Sequence, residues 1–200
     1  MIILIPLGGT GERFKKNLYK EPKALIKVLG KPILFYLLDN LNLTNVEFVY
    51  IPYNKEYEHF RFEDLLKKKY TNITFKFLKL PRNTEGACET INIALKELNI
   101  EDQSILSLDC DNFYTTDIIK LWDGMNSLLT FNDLNTIPIY SYIKVNDNKI
   151  IDIKEKQKIS NHACTGAYGF SSYKLLLKYS DKIIKSDIRQ NNEYYISNII

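Results

Sequence analysis

Residues 1–14 read MIILIPLGGTGERF, and this stretch decides the fold. Its first seven residues carry no polar alternation, as in a strand buried on both faces. Gly8, Gly9 and Gly11 follow at once. Glycines at the carboxyl end of a buried strand let the backbone approach a ligand and turn free N–H groups toward an anion. In open α/β sheets that edge is where ligands sit. The loop is not a Walker loop, because no Gly-Lys-Ser/Thr follows, and it lacks the third glycine of a dinucleotide fingerprint. Arg13 is one of only four arginines, and Pro22 and Lys23 come soon after it. Two cations flanking an N–H-rich loop neutralise a triphosphate from two directions. Taken alone, the glycines read better as a tight strand–helix turn with solvated cations nearby.

Outward from the loop, apolar runs alternate with amphipathic runs to the end of the chain, an α/β pattern. Residues 32–41 (PILFYLLDNL) open on proline and carry an apolar helical stripe, so a helix is expected. Residues 46–53 (VEFVYIPY) read as a strand, 58–70 as a charged amphipathic helix, and 73–80 (ITFKFLKL) as a half-exposed strand. A helix is expected over 86–98, a buried strand over 104–109 (SILSLD), and a short helix over 116–122 with a threonine or aspartate cap. Then the pattern changes. Residues 127–131, 137–145 and 149–154 are strand-like, with a hairpin turn at 146–148. One more strand is expected over 166–170, a helix over 173–185, and the start of a last helix over 193–200. No repeat or flexible linker interrupts this. The expectation is one domain, with a nucleotide-binding half over 1–120 and a substrate half over 121–200.

A second stretch, EPKALIKVLGKPIL over residues 21–34, stands in register behind the loop. GGTGERF followed by this stretch resembles the signature of the sugar-phosphate nucleotidyltransferases. That family includes glucose-1-phosphate thymidylyl- and uridylyltransferases and the cytidylyltransferases of capsule and cell-surface pathways. The resemblance implies a Rossmann-like, GT-A-type α/β fold, with a central mixed, mostly parallel sheet flanked by helices. It implies transfer of NMP from an NTP to a phosphorylated sugar or similar small molecule, with pyrophosphate released and Mg²⁺ as cofactor. Carried onto this chain, Leu7, Gly8, Gly9, Thr10 and Gly11 lie against the base and ribose. Arg13 holds the triphosphate, and Lys23 stabilises the reacting phosphates. Pro22 restrains the backbone before Lys23, which is expected on an extended segment. Lys31 and Pro32 resemble the step that begins the next helix.

Three later stations resemble the same family in the same order. Gly86 and Ala87, in TEGACET, match the helix start that contacts the nucleobase through backbone groups; a plain helix cap is the other reading. Asp109 and Asp111 end a buried strand, where carboxylates beside a triphosphate suit Mg²⁺. The resemblance makes Asp111 the first metal ligand and Asp109 its support, while one of the two as a cap for the helix near Thr116 is the plainer reading. By the resemblance Glu155 and Lys156 match a pair that holds sugar hydroxyls and the sugar phosphate, and Gly166 a glycine facing the sugar ring. Read from the residues alone, EKQK is an exposed charged turn, and Lys154 or Lys158 serves a phosphate equally well. Residues 191–198 (NNEYYISN) resemble a family segment that reads glutamate–tyrosine–tyrosine, and Glu193 in it is a candidate for the substrate hydroxyls. Asn198 stands where many members carry an aspartate as second metal ligand. The family continues past the position of Ile200 with more helix and strand, supplied by further chain or by a homo-oligomer.

Composition narrows the classes. Apolar residues make up 45% of the 200, enough for one core and too many for a disordered chain. The 27 basic and 24 acidic residues are mixed along the chain, so no nucleic-acid footprint exists. No apolar run reaches the length of a membrane span and no signal peptide is read, so a cytoplasmic protein is expected. Cys88, Cys110 and Cys164 lie far apart, and only His59 and His162 could assist a thiolate metal site. The competing functions are a GT-A-type glycosyltransferase using Asp109-Cys110-Asp111 on a nucleotide-sugar, and a non-catalytic nucleotide sensor. The first leaves the triphosphate loop without a purpose.

Overall fold

The computed structural model describes the chain from Met1 to Ile200, apart from the side chain of Arg13, which lies outside the described residues. The chain opens with strand β1 (Ile2–Leu4), a short helix α1 (Glu12–Lys16), a 3-10 turn at Lys23–Leu25, and a ribbon of β2 (Lys27–Val28) with β3 (Lys31–Pro32). Helix α2 (Ile33–Asp39), strand β4 (Phe48–Tyr53), a 3-10 stretch at Lys55–Phe60, helix α3 (Phe62–Lys69) and strand β5 (Phe75–Lys79) follow. Next come α4 (Ala87–Lys96), β6 (Ile105–Leu108), α5 (Ile118–Leu121), β7 (Ser127–Asn132), β8 (Ser141–Asn146), β9 (Lys149–Glu155), β10 (His162–Phe170) and α6 (Tyr173–Lys185). A 3-10 turn at Ile196–Ile199 ends the chain.

One eight-stranded sheet runs β5-β4-β1-β6-β10-β8-β9, with β7 also on β10. The first four strands of that order are parallel, and β10 joins them antiparallel through Ala167–Leu108 and Phe170–Ile105. The alternation of β1 builds three layers, because successive side chains leave opposite faces. Ile3 and Ile5 pack with Leu34, Leu37, Phe62 and Leu66 of α2 and α3. Ile2 and Leu4 pack with Ile91 and Ala94 of α4 and Leu176 of α6. Both faces are covered, which is why the first strand is uniformly apolar.

Several boundaries differ from the expectation. The helix expected over 58–70 is divided at Arg61, whose left-handed backbone (φ 48°) separates the 3-10 stretch from α3. The last helix is only the 3-10 turn at Ile196–Ile199. Lys31 and Pro32 pair as β3 before Pro32 becomes the N-cap of α2. Lys23 does not stand on an extended segment: Pro22 is extended (ψ 148°), but Lys23 opens the 3-10 turn. The hairpin turn falls where expected, with Asp147 and Asn148 both at positive φ between β8 and β9, the backbone a two-residue hairpin loop needs.

Candidate active site

The carboxyl ends of β1, β4 and β6 lie side by side, and each hands over to a polar loop. After β1, Leu7 still bridges to Tyr53, and residues 8–11 then turn into α1. Gly8 has no room for a side chain: a Cβ there would overlap the hydroxyls of Thr84 and Thr90. Those hydroxyls bond each other at 2.6 Å, and the Thr84 N–H reaches Gly8 O at 3.3 Å. Gly9 is the opposite case, exposed and with no atom near its missing side chain. Thr10 is half-buried beside it. Gly11 takes a left-handed φ of 64° to start α1, and Lys23 lies 3.8 Å from where its Cβ would be.

Lys23 joins this loop to the end of β6. Its ammonium lies 2.8 Å from Asp111 Oδ2, and both side chains are partly open to solvent. Burial opposes the charge on Lys23, but Cys110, Asp111 and Asp109 outweigh it, and its pKa lies above the usual lysine value. Asp109 sits deeper. Burial first, and then the Asp111 charge, push its carboxyl up to about 7, with Lys23 acting in the opposite direction. Gly166 closes over it: a Cβ there would overlap the Asn112 amide and the Asp109 carboxylate, and the Asp109 N–H donates to Gly166 O at 2.9 Å. Gly166 also has a φ of 79° and lies where the β10–β7 register shifts, a bulge that glycine permits. Neither aspartate caps α5; Asp117 does, accepting from Lys120 N.

The remaining residues expected on the sugar side lie at the end of β9 and in the turn at 190–193. Glu155 is buried at the end of β9 and accepts a hydrogen bond from Ser141 Oγ. Its charge is felt at Asp109, so the two carboxylates belong to one electrostatic neighbourhood. Lys156 has a left-handed backbone (φ 53°), its ammonium 3.9 Å from Glu155 and over the ring of Tyr195 at 5.7 Å. Glu193 is exposed on the turn between Gln190 and Glu193. Gly86 is the N-cap of α4 and Ala87 its first residue, and the glycine is needed because the Tyr194 backbone presses on it. Asn198 Oδ1 is occupied by the Gln190 amide, so the oxygen a second metal would use already has a donor.

Some residues escaped the sequence. Asn54, buried just after β4, donates to Gly9 O at 2.7 Å and accepts from Glu56 N at 3.0 Å, fixing the loop from the neighbouring strand. An asparagine directly after a buried strand, on the same edge as the glycine loop, was the available signal. Glu89, buried in the first turn of α4, accepts from Glu85 N and pairs with Arg82 at 2.5 Å. Among the described residues no three His, Cys, Asp or Glu side chains group as a metal site. All three cysteines are buried thiols, and no described helix is long and apolar enough to cross a membrane.

The chain is similar to known proteins. A family model described as nucleotidyl transferase matches residues 2–198. A protein of Sulfolobus acidocaldarius described as a mannose-1-phosphate guanyltransferase is 27% identical over 195 residues, covering 92% of this chain and 52% of the relative. The D-glycero-alpha-D-manno-heptose 1-phosphate guanylyltransferase of Aneurinibacillus thermoaerophilus is 23% identical over 163 residues, covering 78% of this chain and 68% of that protein. This chain thus spans about half the length of the first of these relatives. The crystal structure of a nucleoside-diphosphate-sugar pyrophosphorylase from Vibrio cholerae RC9 superposes with a TM-score of 0.79 at 22% identity, over 100% of this chain and 85% of that one, which speaks for the fold.

Proposed function

This chain belongs to the nucleotidyl transferase family, and from that membership we propose that it transfers NMP from an NTP to a sugar 1-phosphate, releasing pyrophosphate. The observation that carries the reading is the Lys23–Asp111 pair at 2.8 Å beside the glycine loop. It brings a cation and a carboxylate to the backbone of the glycine loop at the ligand edge of the sheet. An oxygen of the sugar phosphate attacks the α-phosphorus. The new O–P bond forms as the bond to the β-phosphate bridging oxygen breaks, and pyrophosphate leaves with the electron pair. The attacking phosphate is already ionised at neutral pH, so no side chain has to take a proton. In this reading Lys23 holds charge that builds on the leaving group, and Arg13 takes the triphosphate, as the family resemblance implies.

Mg²⁺ fits the donor set. It binds through one or two carboxylates and leaves other positions to phosphate oxygens and water. Asp111, open to solvent, and Asp109 behind it would hold the ion, which when bound supplies charge neutralisation at the phosphates. Leu7, Gly8, Gly9, Thr10, Gly11, Gly86 and Ala87 are assigned the nucleotide, and Glu155, Lys156, Gly166 and Glu193 the sugar phosphate. The names of both curated relatives make GTP with a mannose or heptose 1-phosphate the first pair to try. Within this reading the enzyme works in the cytoplasm and feeds surface polysaccharide or glycoconjugate synthesis.

The test is pyrophosphate release over a panel of NTPs and sugar 1-phosphates with Mg²⁺. Release is expected only when both substrates are present. A nucleotide-sugar consumed without pyrophosphate would favour the glycosyltransferase instead, and no release from any pair would reject the enzyme reading.

A further inference from the structure

Residues 187–198 do more than end the chain. At one side, Tyr194 is stitched to the start of α4: its N–H donates to Glu85 O at 2.9 Å and its carbonyl accepts from Cys88 N at 3.0 Å. Gly86, at a φ of 143°, has no side chain because this backbone lies against it. At the other side, Gln190 Oε1 accepts the Glu155 N–H at 3.1 Å, and its amide donates to Asn198. Asn198 in turn donates to Ile188 O at 3.1 Å. The segment therefore touches the proposed nucleotide side at Gly86 and the proposed sugar side at Glu155.

Arg189 holds it in that shape. Its guanidinium donates to Asp187 at 2.6 Å, lies 2.9 Å from Glu85 Oε2, donates to the Tyr194 hydroxyl at 2.7 Å, and stacks on the Tyr194 ring at 4.1 Å. The Tyr194 hydroxyl donates in turn to Asp187. Asp187, Asn191 and Asn192 all take left-handed backbones, with φ of 49°, 48° and 62°. Non-glycine residues in that region cost free energy and persist only where surroundings hold them. A planar fork that satisfies three partners at once is what Arg offers and Lys does not.

We propose that Arg189 is a positioning residue that fastens residues 187–198 as a strap across the site, so that one element sets both the α4 start at Gly86 and the Glu155–Lys156 pair. The functional half of this inference rests on the nucleotidyl-transfer reading, and the structural half does not. Asn198 thereby gains a role, because it locks the strap through Gln190.

Arg189→Gln separates the possibilities when amide hydrogen exchange of the substrate-free protein is combined with steady-state kinetics. Exchange at Cys88, Tyr194 and Glu155 should accelerate together, by about tenfold, because opening one charged clasp releases both ends. KM for the NTP and for the sugar phosphate should both rise several-fold, with a smaller change in kcat. A residue serving only stability would lower the melting temperature and leave both KM values in place. The proposal is overturned if the Glu155 amide stays protected while Cys88 and Tyr194 loosen, or if only one KM moves. Should Arg189→Gln fail to fold, Glu85→Gln removes a single exposed partner and asks the same question. If the wild-type protein shows no turnover, the transfer reading fails, and the exchange measurement still decides the strap.

Discussion

Lys23 and Asp111 are 88 positions apart in sequence and 2.8 Å apart in space. The lysine was legible because Pro22-Lys23 stands behind the glycine loop; its ion pair was not, since no local pattern encodes a long-range contact. If this ammonium meets charge that develops as pyrophosphate leaves, Lys23→Met should lower kcat by about 10²-fold or more. NTP affinity should fall far less. Stopped-flow binding beside steady-state turnover reads both, and weakened binding with kcat intact would make Lys23 a ground-state clamp. The two aspartates differ in the same way. Asp111 is open and beside Lys23, whereas Asp109 lies under Gly166. Asp111→Asn should abolish Mg²⁺-dependent activity, and Asp109→Asn should leave a measurable remnant. Equal loss in both would show that the pair acts as one ligand set.

At the scale of elements, two glycines of the proposed nucleotide site have opposite physical reasons. Gly86 combines a φ of 143° with a backbone pressed on it, so Gly86→Ala should cost about 2 kcal/mol or more. Gly9 has open space and no positive φ, so Gly9→Ala should stay within about 0.5 kcal/mol in denaturant unfolding while weakening nucleotide binding. Equal destabilisation of the two variants would contradict this. The sequence marked Gly9 as a loop glycine and Gly86 as the glycine of a helix start, but not what presses on Gly86, because that neighbour, Tyr194, lies 108 positions further along the chain. The α4–α6 junction supplies a pH test. Asp181 accepts from Asn92 at 2.9 Å and pairs with Lys96 at 2.7 Å and Lys185 at 3.1 Å, and bonds to Lys96, Asn92 and Lys185 hold its carboxyl well below the usual range. A depressed folded pKa stabilises above the unfolded value and loses that contribution as pH falls. Asp181→Asn should therefore be less stable than wild type at pH 7, by about 1 kcal/mol, with the gap shrinking below about pH 4. A gap independent of pH would mean that the carboxylate charge contributes nothing there.

Over the whole molecule, the strand–helix alternation was readable because both faces of β1, β4 and β6 are covered, which makes them largely apolar. The antiparallel half was legible in kind but not in pairing, since β10 serves β6, β7 and β8 and only the folded sheet reveals that. Residues 193–200 read as the start of a helix, yet only Ile196–Ile199 form a 3-10 turn, and the stretch before it, 187–194, is held by Arg189 and left-handed turns. The proposed function rests on one claim, that a sugar phosphate oxygen attacks an α-phosphorus at the carboxyl edge of this sheet. Substrate labelled with ¹⁸O in the nonbridging oxygens of its phosphate tests it directly, followed by ³¹P NMR of the products. The account predicts that all label stays in the nucleotide-sugar, with one ¹⁸O in the new bridge between its two phosphorus atoms, and none in pyrophosphate. Label in pyrophosphate, or a product without a labelled bridge, would contradict it.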